Sequence, residues 1–231
     1  MPRRARAEAQ SRVPLSRDRV LQAAVRMADE QGLPALTMRR LAEAIGAEAM
    51  SLYYHVTNKD DLLDGLVEEV VGEINDAVGR LDLPSAGPAW KRAVRAQVLT
   101  ARQVLLRHPW APPLLDRNEA SLAVLVYHDG LVALMHDGGF SYDQIHHGLH
   151  ALGSRALGFA HELFTPGGDA PAGADLAAMA EKLPNLVGML AEIVHDDPGS
   201  TLGWCDDQTK FEFGLDLILD GLERIRAQAT S

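Results

Sequence analysis

A chain of 231 residues can form one large domain or two small ones with a real hydrophobic core. Its composition is 47% hydrophobic, 23% charged and only 5% aromatic, and no apolar run approaches the ~18–20 residues of a membrane span. One cysteine, Cys205, excludes an intrachain disulfide or a thiolate-cluster metal site and suits a reducing cytoplasm.

The net charge of −10 argues at first against a nucleic-acid partner, but it averages over two unlike parts. Residues 1–60 hold ten Lys/Arg against seven acids, a net of +3. Residues 61–231 hold twelve against twenty-five, a net of −13. Only the first part is suited to face phosphates.

In chain order, residues 1–15 read as a disordered arm rich in arginine (Arg3, Arg4, Arg6, Arg12), with no hydrophobic stretch and therefore no secretory signal. That arm suits either a minor groove or a merely solubilising role. Ser16 is the expected N-cap of a helix bearing Val20, Ala24, Met27 and Ala28, stopped by Gly32-Leu33-Pro34. A short helix over 37–44, a turn at Ile45-Gly46-Ala47 and a second short helix over 48–55 follow. Asn58 to Asp61 caps a longer helix, whose Leu62, Leu66, Val70, Ile74 and Val78 keep a four-residue step.

Residues 83–88 read as a linker, and the next helix runs from near Pro88 to His108-Pro109. Ser141 and Gln144 have the spacing of a capping box that opens a helix reaching about Phe164. Residues 165–173 read as a mobile loop, and a last helix covers about 206–228. No stretch alternates like a strand, so the fold class is all-α.

Two short helices joined by a glycine-containing turn have the geometry that lays one helix in the DNA major groove. Leu41, Ile45 and Leu52 would form the core of the pair, and Gly46 allows the left-handed turn. Arg39, Arg40, Ala49, Met50 and Ser51 would then face outward, with Tyr53, Tyr54, His55 and Lys59 just behind as phosphate anchors. The same pattern also suits an ordinary helical hairpin with a solvated polar face.

Residues 16–71 closely resemble the tetracycline-repressor (TetR) family of bacterial regulators. The resemblance rests on Gly32, Thr37-Met38-Arg39-Arg40-Leu41-Ala42, Ile45-Gly46 and the run from Leu52 to Leu63, Leu-Tyr-Tyr-His-Val-Thr-Asn-Lys-Asp-Asp-Leu-Leu. The later part is similar to the family's effector domain at Gly138-Gly139-Phe140-Ser141 and at Phe211-Glu212-Phe213-Gly214-Leu215-Asp216. The resemblance implies a three-helix helix-turn-helix head at 16–62 and a helical ligand-binding and dimerisation bundle at 63–231. It implies that Arg39 touches a base edge, that Ala49, Met50 and Ser51 read or skirt bases, and that Thr37, Tyr53 and Lys59 hold phosphates. Ala49 and Met50 offer thymine-methyl contacts but no hydrogen bonds, so the operator should differ from that of the tetracycline repressors. The position of their drug-contacting histidine is Asn75 here, which argues against tetracycline itself.

For the dimer, Phe211, Leu215, Ile218, Leu222 and Ile225 form one stripe of the last helix, with Phe213 and Leu217 on a second flank. So wide an apolar arc suits packing against both its own domain and a partner. Gly153 and Gly158, with other small residues of the 141–164 helix, would permit close helix approach in a four-helix interface. A single monomer core is the other reading. The candidate effector residues are His108, Trp110, Tyr127, Met135, His150 and Phe159, although a plain core role is the favoured reading of each.

Histidine is the competing signal, because His146 and His150 stand at i,i+4 and can share a metal. No nearby carboxylate completes an obvious site, so no metal or cofactor is expected. The sequence thus reads as a cytoplasmic, ligand-responsive repressor and not an enzyme. It would bind palindromic double-stranded operator DNA as a homodimer and leave it on binding a small apolar or amphipathic effector. An activator of the same fold and a metal-responsive regulator are the alternatives.

Overall fold

The structure, a computed structural model, describes residues 14–82, 86–115, 121–156, 184–185 and 207–229. Every regular element among them is helical. Two compact units emerge, Met1–Phe140 and Ser141–Ser231. The arginine arm up to residue 13, most of the linker at 83–88, the loop at 165–173 and Phe159 lie outside the described residues.

The first unit begins with α1 (Arg17–Gln31), capped as expected by the Ser16 hydroxyl, which accepts from the Arg19 N–H at 3.2 Å. A 3-10 turn (Leu33–Ala35) leads to α2 (Met38–Ile45), whose Thr37 cap accepts from the Arg40 N–H at 3.3 Å. Gly46 ends α2 in the left-handed region, φ 69° and ψ 36°, as the turn demands. The next helix, α3, is shorter than its pattern suggests, Ala49–Leu52 instead of 48–55. Its end follows from burial: Leu52 and Val56 are both fully enclosed, and the chain must turn through Tyr53–His55 to bury them together.

Asn58 caps α4 (Lys59–Gly79) by accepting from the Asp61 N–H at 2.8 Å. Leu62, Leu66, Val70 and Ile74 bury one face of it, each worth about 1.5–3 kcal/mol against exposure. On α4 pack α1, α5 (Ala86–Arg107), α6 (Pro112–Leu115) and α7 (Leu122–Asp137). The buried indole of Trp90 anchors this bundle, 4.6 Å from the Phe140 ring in an edge-on contact. Polar ties also join these helices: Asn75 donates to the Ala123 carbonyl at 2.9 Å, and Gln97 to the Tyr127 carbonyl at 3.2 Å. An expected domain boundary at 62/63 falls in the first turn of α4, where packing is continuous.

In the second unit the capping box forms as read. Gln144 N–H donates to the Ser141 hydroxyl at 3.3 Å, and Ser141 N–H to the Gln144 side chain at 2.9 Å. It opens α8 (Tyr142–Ala156), which packs on α9 (Asp207–Ala229). Ile145, Leu152, Phe211, Leu215 and Leu219 are buried in this unit.

Candidate nucleic-acid interface

The head offers an outward face built around α3. Leu41 and Leu52 close the small core beneath it, while Ile45 is only half-buried. Met50 is 72% exposed and Tyr54, one turn on, 89% exposed, so the two form the most prominent ridge. Thr37, Tyr53 and Lys59 are also exposed around it, and Ala49, Ser51 and His55 are half-buried. Ala49 and Ser51, beside Met50, are short, which leaves the Met50–Tyr54 ridge to meet a surface that α3 docks on.

The two arginines of α2 differ in what they are free to do. Arg39 is exposed and held only by an i,i+4 pair with Glu43, its Nε 3.0 Å from Oε1. Such a surface pair is worth ~0–1 kcal/mol and is easily exchanged for another partner. Arg40 is exposed, as read from sequence, but its guanidinium donates to the Ala35 carbonyl at 3.1 Å and to the Gln31 side chain. It ties the 3-10 turn to the end of α1, which repetitive spacing alone does not reveal.

Arg17 is a head residue that pattern reading passed over. Its guanidinium donates to the His55 carbonyl at 3.0 Å and pairs with Asp61 at 2.9 Å. Asp61 Oδ2 in turn accepts from the Thr57 N–H at 2.7 Å and the Thr57 hydroxyl at 3.0 Å. The Thr57 N–H, then Arg17, holds the Asp61 carboxyl below its ordinary range, against some desolvation. This network fixes the turn between α3 and α4, and therefore the pose of the recognition face. Its partners lie 38 and 44 positions apart in sequence from Arg17, so only the folded chain brings them together.

Another face of the same unit is unsuited to phosphate. Gln22, Val25 and Arg26 of α1 and Glu68, Glu69, Val70, Gly72, Glu73 and Asp76 of α4 line a groove of about 470 Å³. Burial, then Asp18 and Glu68, pushes the Glu69 carboxyl up. Four carboxylates against the single Arg26 make this groove acidic.

The expected effector residues separate. His108, Trp110, Tyr127 and Met135 are buried in the first unit, whereas His150 is exposed on α8 of the second. The polar atoms of the first two are already committed. Asp29 Oδ1 lies 2.7 Å from both His108 Nδ1 and Trp110 Nε1, and Glu73 Oε2 lies 3.1 Å from His108 Nε2. His108 and Trp110 therefore join α1 and α4 to the turn after α5, in keeping with the core role favoured for them from sequence. Glu73 is desolvated, yet hydrogen bonds from Arg107 and His108 hold its carboxyl low. Tyr127 differs: burial pushes its phenol well above the usual range.

The stripe expected to meet a partner is also reassigned. Phe211, Leu215 and Leu222 are buried inside their own unit against α8, and Ile218 is half-buried beside them. The exposed apolar flank of α9 carries Phe213, Leu217 and Ile225, half or more open to solvent in the first two cases. Gly153 is half-buried, and a Cβ there would meet nothing within 4 Å; Gly158 lies outside the described residues.

Two family models match the chain. Residues 20–66 match the bacterial regulatory proteins of the tetR family, and residues 83–226 match the tetracyclin repressor-like C-terminal domain. The chain belongs to the TetR family. Among TetR-family relatives, an HTH-type transcriptional regulator of Saccharopolyspora erythraea is 43% identical over 130 residues, 53% of this chain. That match spans 52% of the relative's length, and the match to the class D tetracycline repressor of Escherichia coli spans 41%. The HTH-type transcriptional repressor DrrR1 of Streptomyces coeruleorubidus is 29% identical over 230 residues, covering 93% of this chain and 79% of its own. Among solved structures, apo ActR from Streptomyces coelicolor superposes with a TM-score of 0.73 at 28% identity, covering 94% of this chain and 99% of that one. ActR has also been solved in complex with actinorhodin, at 26% identity and a TM-score of 0.68.

The TetR assignment selects the helix-turn-helix over the plain helical hairpin for α2 and α3. Among the described residues no helix is long and apolar enough to cross a membrane.

Proposed function

We propose that this chain is a cytoplasmic repressor that binds a palindromic operator as a homodimer and is released by a small amphipathic effector. The single observation that carries the reading is the outward face of α2 and α3. Gly46 sets its turn, Arg39 stands beside it held only by a surface pair with Glu43, and Met50 and Tyr54 project beyond it. Arg39 suits a bidentate contact to guanine, Met50 and Ala49 suit thymine methyls, and Thr37, Tyr53 and Lys59 suit phosphates. Arg40 serves the head's own architecture in this reading.

The exposed Phe213–Leu217–Ile225 flank of α9 is the surface that favours a homodimer, since apolar area of this kind gains most from a second copy. Two heads one DNA turn apart (~34–36 Å) then read the two half-sites. Tyr127 and Gln97, whose amide donates to the Tyr127 carbonyl, are buried polar side chains in an otherwise apolar bundle, which favours an effector with a largely apolar body and one or two polar groups. ActR, whose complex with actinorhodin is known, is a precedent for a small-molecule ligand in a similar protein. Binding alone performs the regulation, so no catalytic step is required. The effector acts only by preferring the state whose heads no longer match one DNA turn.

Selection of bound sequences from a random duplex library, followed by footprinting, tests this reading. A palindrome with half-sites one turn apart is expected. Release of that duplex by actinorhodin or a related aromatic compound, and loss of the release in Tyr127→Phe, would support the effector assignment. Recovery of no preferred sequence would overturn the regulatory reading.

A further inference from the structure

Three of the nine histidines fall within five residues of α8, and neither the head nor the core uses them. His146, His147 and His150 are all exposed, while Ile145, Gly148 and Leu152 turn the opposite side of the helix inward. At 100° per residue, Asp143, His146, His147 and His150 share a single arc of the exposed side.

Within that arc the contacts separate two pairs. The rings of His146 and His150 lie 4.6 Å apart, centroid to centroid, nearly perpendicular to each other. The His147 ring is 5.4 Å from that of His146, but its Nε2 leans toward Asp143 Oδ1 at 3.9 Å. Among the described residues the nitrogens of His146 and His150 have no hydrogen-bond partner in the protein. Two basic nitrogens thus stand one turn apart on a helix that a buried face holds in place.

We propose that His146 and His150 form a two-histidine clamp for a divalent transition metal of the zinc or nickel type. Residues at i and i+4 have Cβ atoms ~5–6 Å apart, within reach of a shared ion at imidazole bond lengths of ~2.0–2.1 Å. Both side chains are exposed, so rotation about their own bonds brings one nitrogen of each to that point without moving the helix. Among the described residues no three His, Cys, Asp or Glu side chains converge on one point. Among the described residues the site therefore has two protein ligands, with water in the remaining positions. Such an open site exchanges its ion readily, and its nitrogen donors reject Mg²⁺ and Ca²⁺, which prefer oxygen. The site is independent of the operator and effector assignments above.

Titration of the tag-free full chain with Zn²⁺ and with Ni²⁺ at neutral pH tests the clamp, with Mg²⁺ as a control. One ion per chain is expected, with no uptake of Mg²⁺. His146→Gln and His150→Gln should each weaken binding about tenfold or more, while His147→Gln should leave it within about twofold. Circular dichroism of each variant checks that α8 is intact. No uptake by the wild-type chain, undiminished binding in the His146 and His150 variants, or loss of binding in His147→Gln alone would overturn the assignment.

Discussion

Gly65 on α4 faces Leu21 on α1 so closely that a Cβ at position 65 would stand 2.5 Å from Leu21 Cδ2. Leu21 is itself buried, so it has little room to move aside. Gly65→Val should therefore lose ~1–3 kcal/mol through overpacking, measured by urea denaturation. Gly65→Ala should lose less, because its better helix propensity returns ~1 kcal/mol. Equal stability of Gly65→Val and wild type would show that α1 and α4 separate freely at this crossing.

Arg39 is the residue whose loss should change sequence preference. Arg39→Ala is expected to weaken binding to the selected operator by ~1–3 kcal/mol and to relax discrimination at one base pair. Competition binding against single-base variants measures both effects. A uniform loss across all duplexes, with a shallower salt dependence, would instead make Arg39 a phosphate contact.

The two flanks of α9 should respond differently to mutation. Leu215→Ala removes a fully enclosed side chain and should cost ~2–5 kcal/mol of stability. Leu217→Arg, at a position 56% exposed, should leave the chain's secondary structure intact while shifting the dimer toward monomer in sedimentation velocity. A dimer that survives Leu217→Arg would place the interface elsewhere.

Asp61 predicts an acid dependence with a definite sign. Its folded-state pKa lies below the unfolded value, held there by the Thr57 N–H and Arg17. The stability it contributes is thus fully present above the ordinary carboxylate range and is lost as pH falls through the folded-state value. Asp61→Asn should melt below wild type at neutral pH, and the gap should close in strong acid. Calorimetry at neutral pH and well below pH 4 provides the check; a gap that is constant with pH would show that the carboxylate charge is not what matters.

How much of this was legible without coordinates depends on the range of the forces involved. Helix starts at Ser16, Asn58 and Ser141 were readable because a cap involves residues only three apart, and each cap forms as its spacing demands. Gly46 was readable because the left-handed turn is a property of one residue. The all-α class, the helix-turn-helix and the family followed from such local signals together with the motif from Thr37 to Leu63.

Tertiary structure decided the rest, because helical periodicity shows that a face is apolar but not what covers it. On α9 both flanks are apolar, and only packing against α8 distinguishes the buried Phe211 and Leu215 from the exposed Phe213 and Leu217. The commitment of Arg40 to Gln31 and Ala35, and of His108 and Trp110 to Asp29, likewise could not be read from spacing. Asp29 meets partners 79 and 81 positions away, a closeness that no local rule encodes. The sequence by itself determined the all-α class, several helix starts and that a basic head accompanies an acidic remainder. Which side chains remain free to meet DNA, an effector or a second copy was decided only once the helices had packed, because burial and hydrogen bonding use up some of them and leave the others exposed.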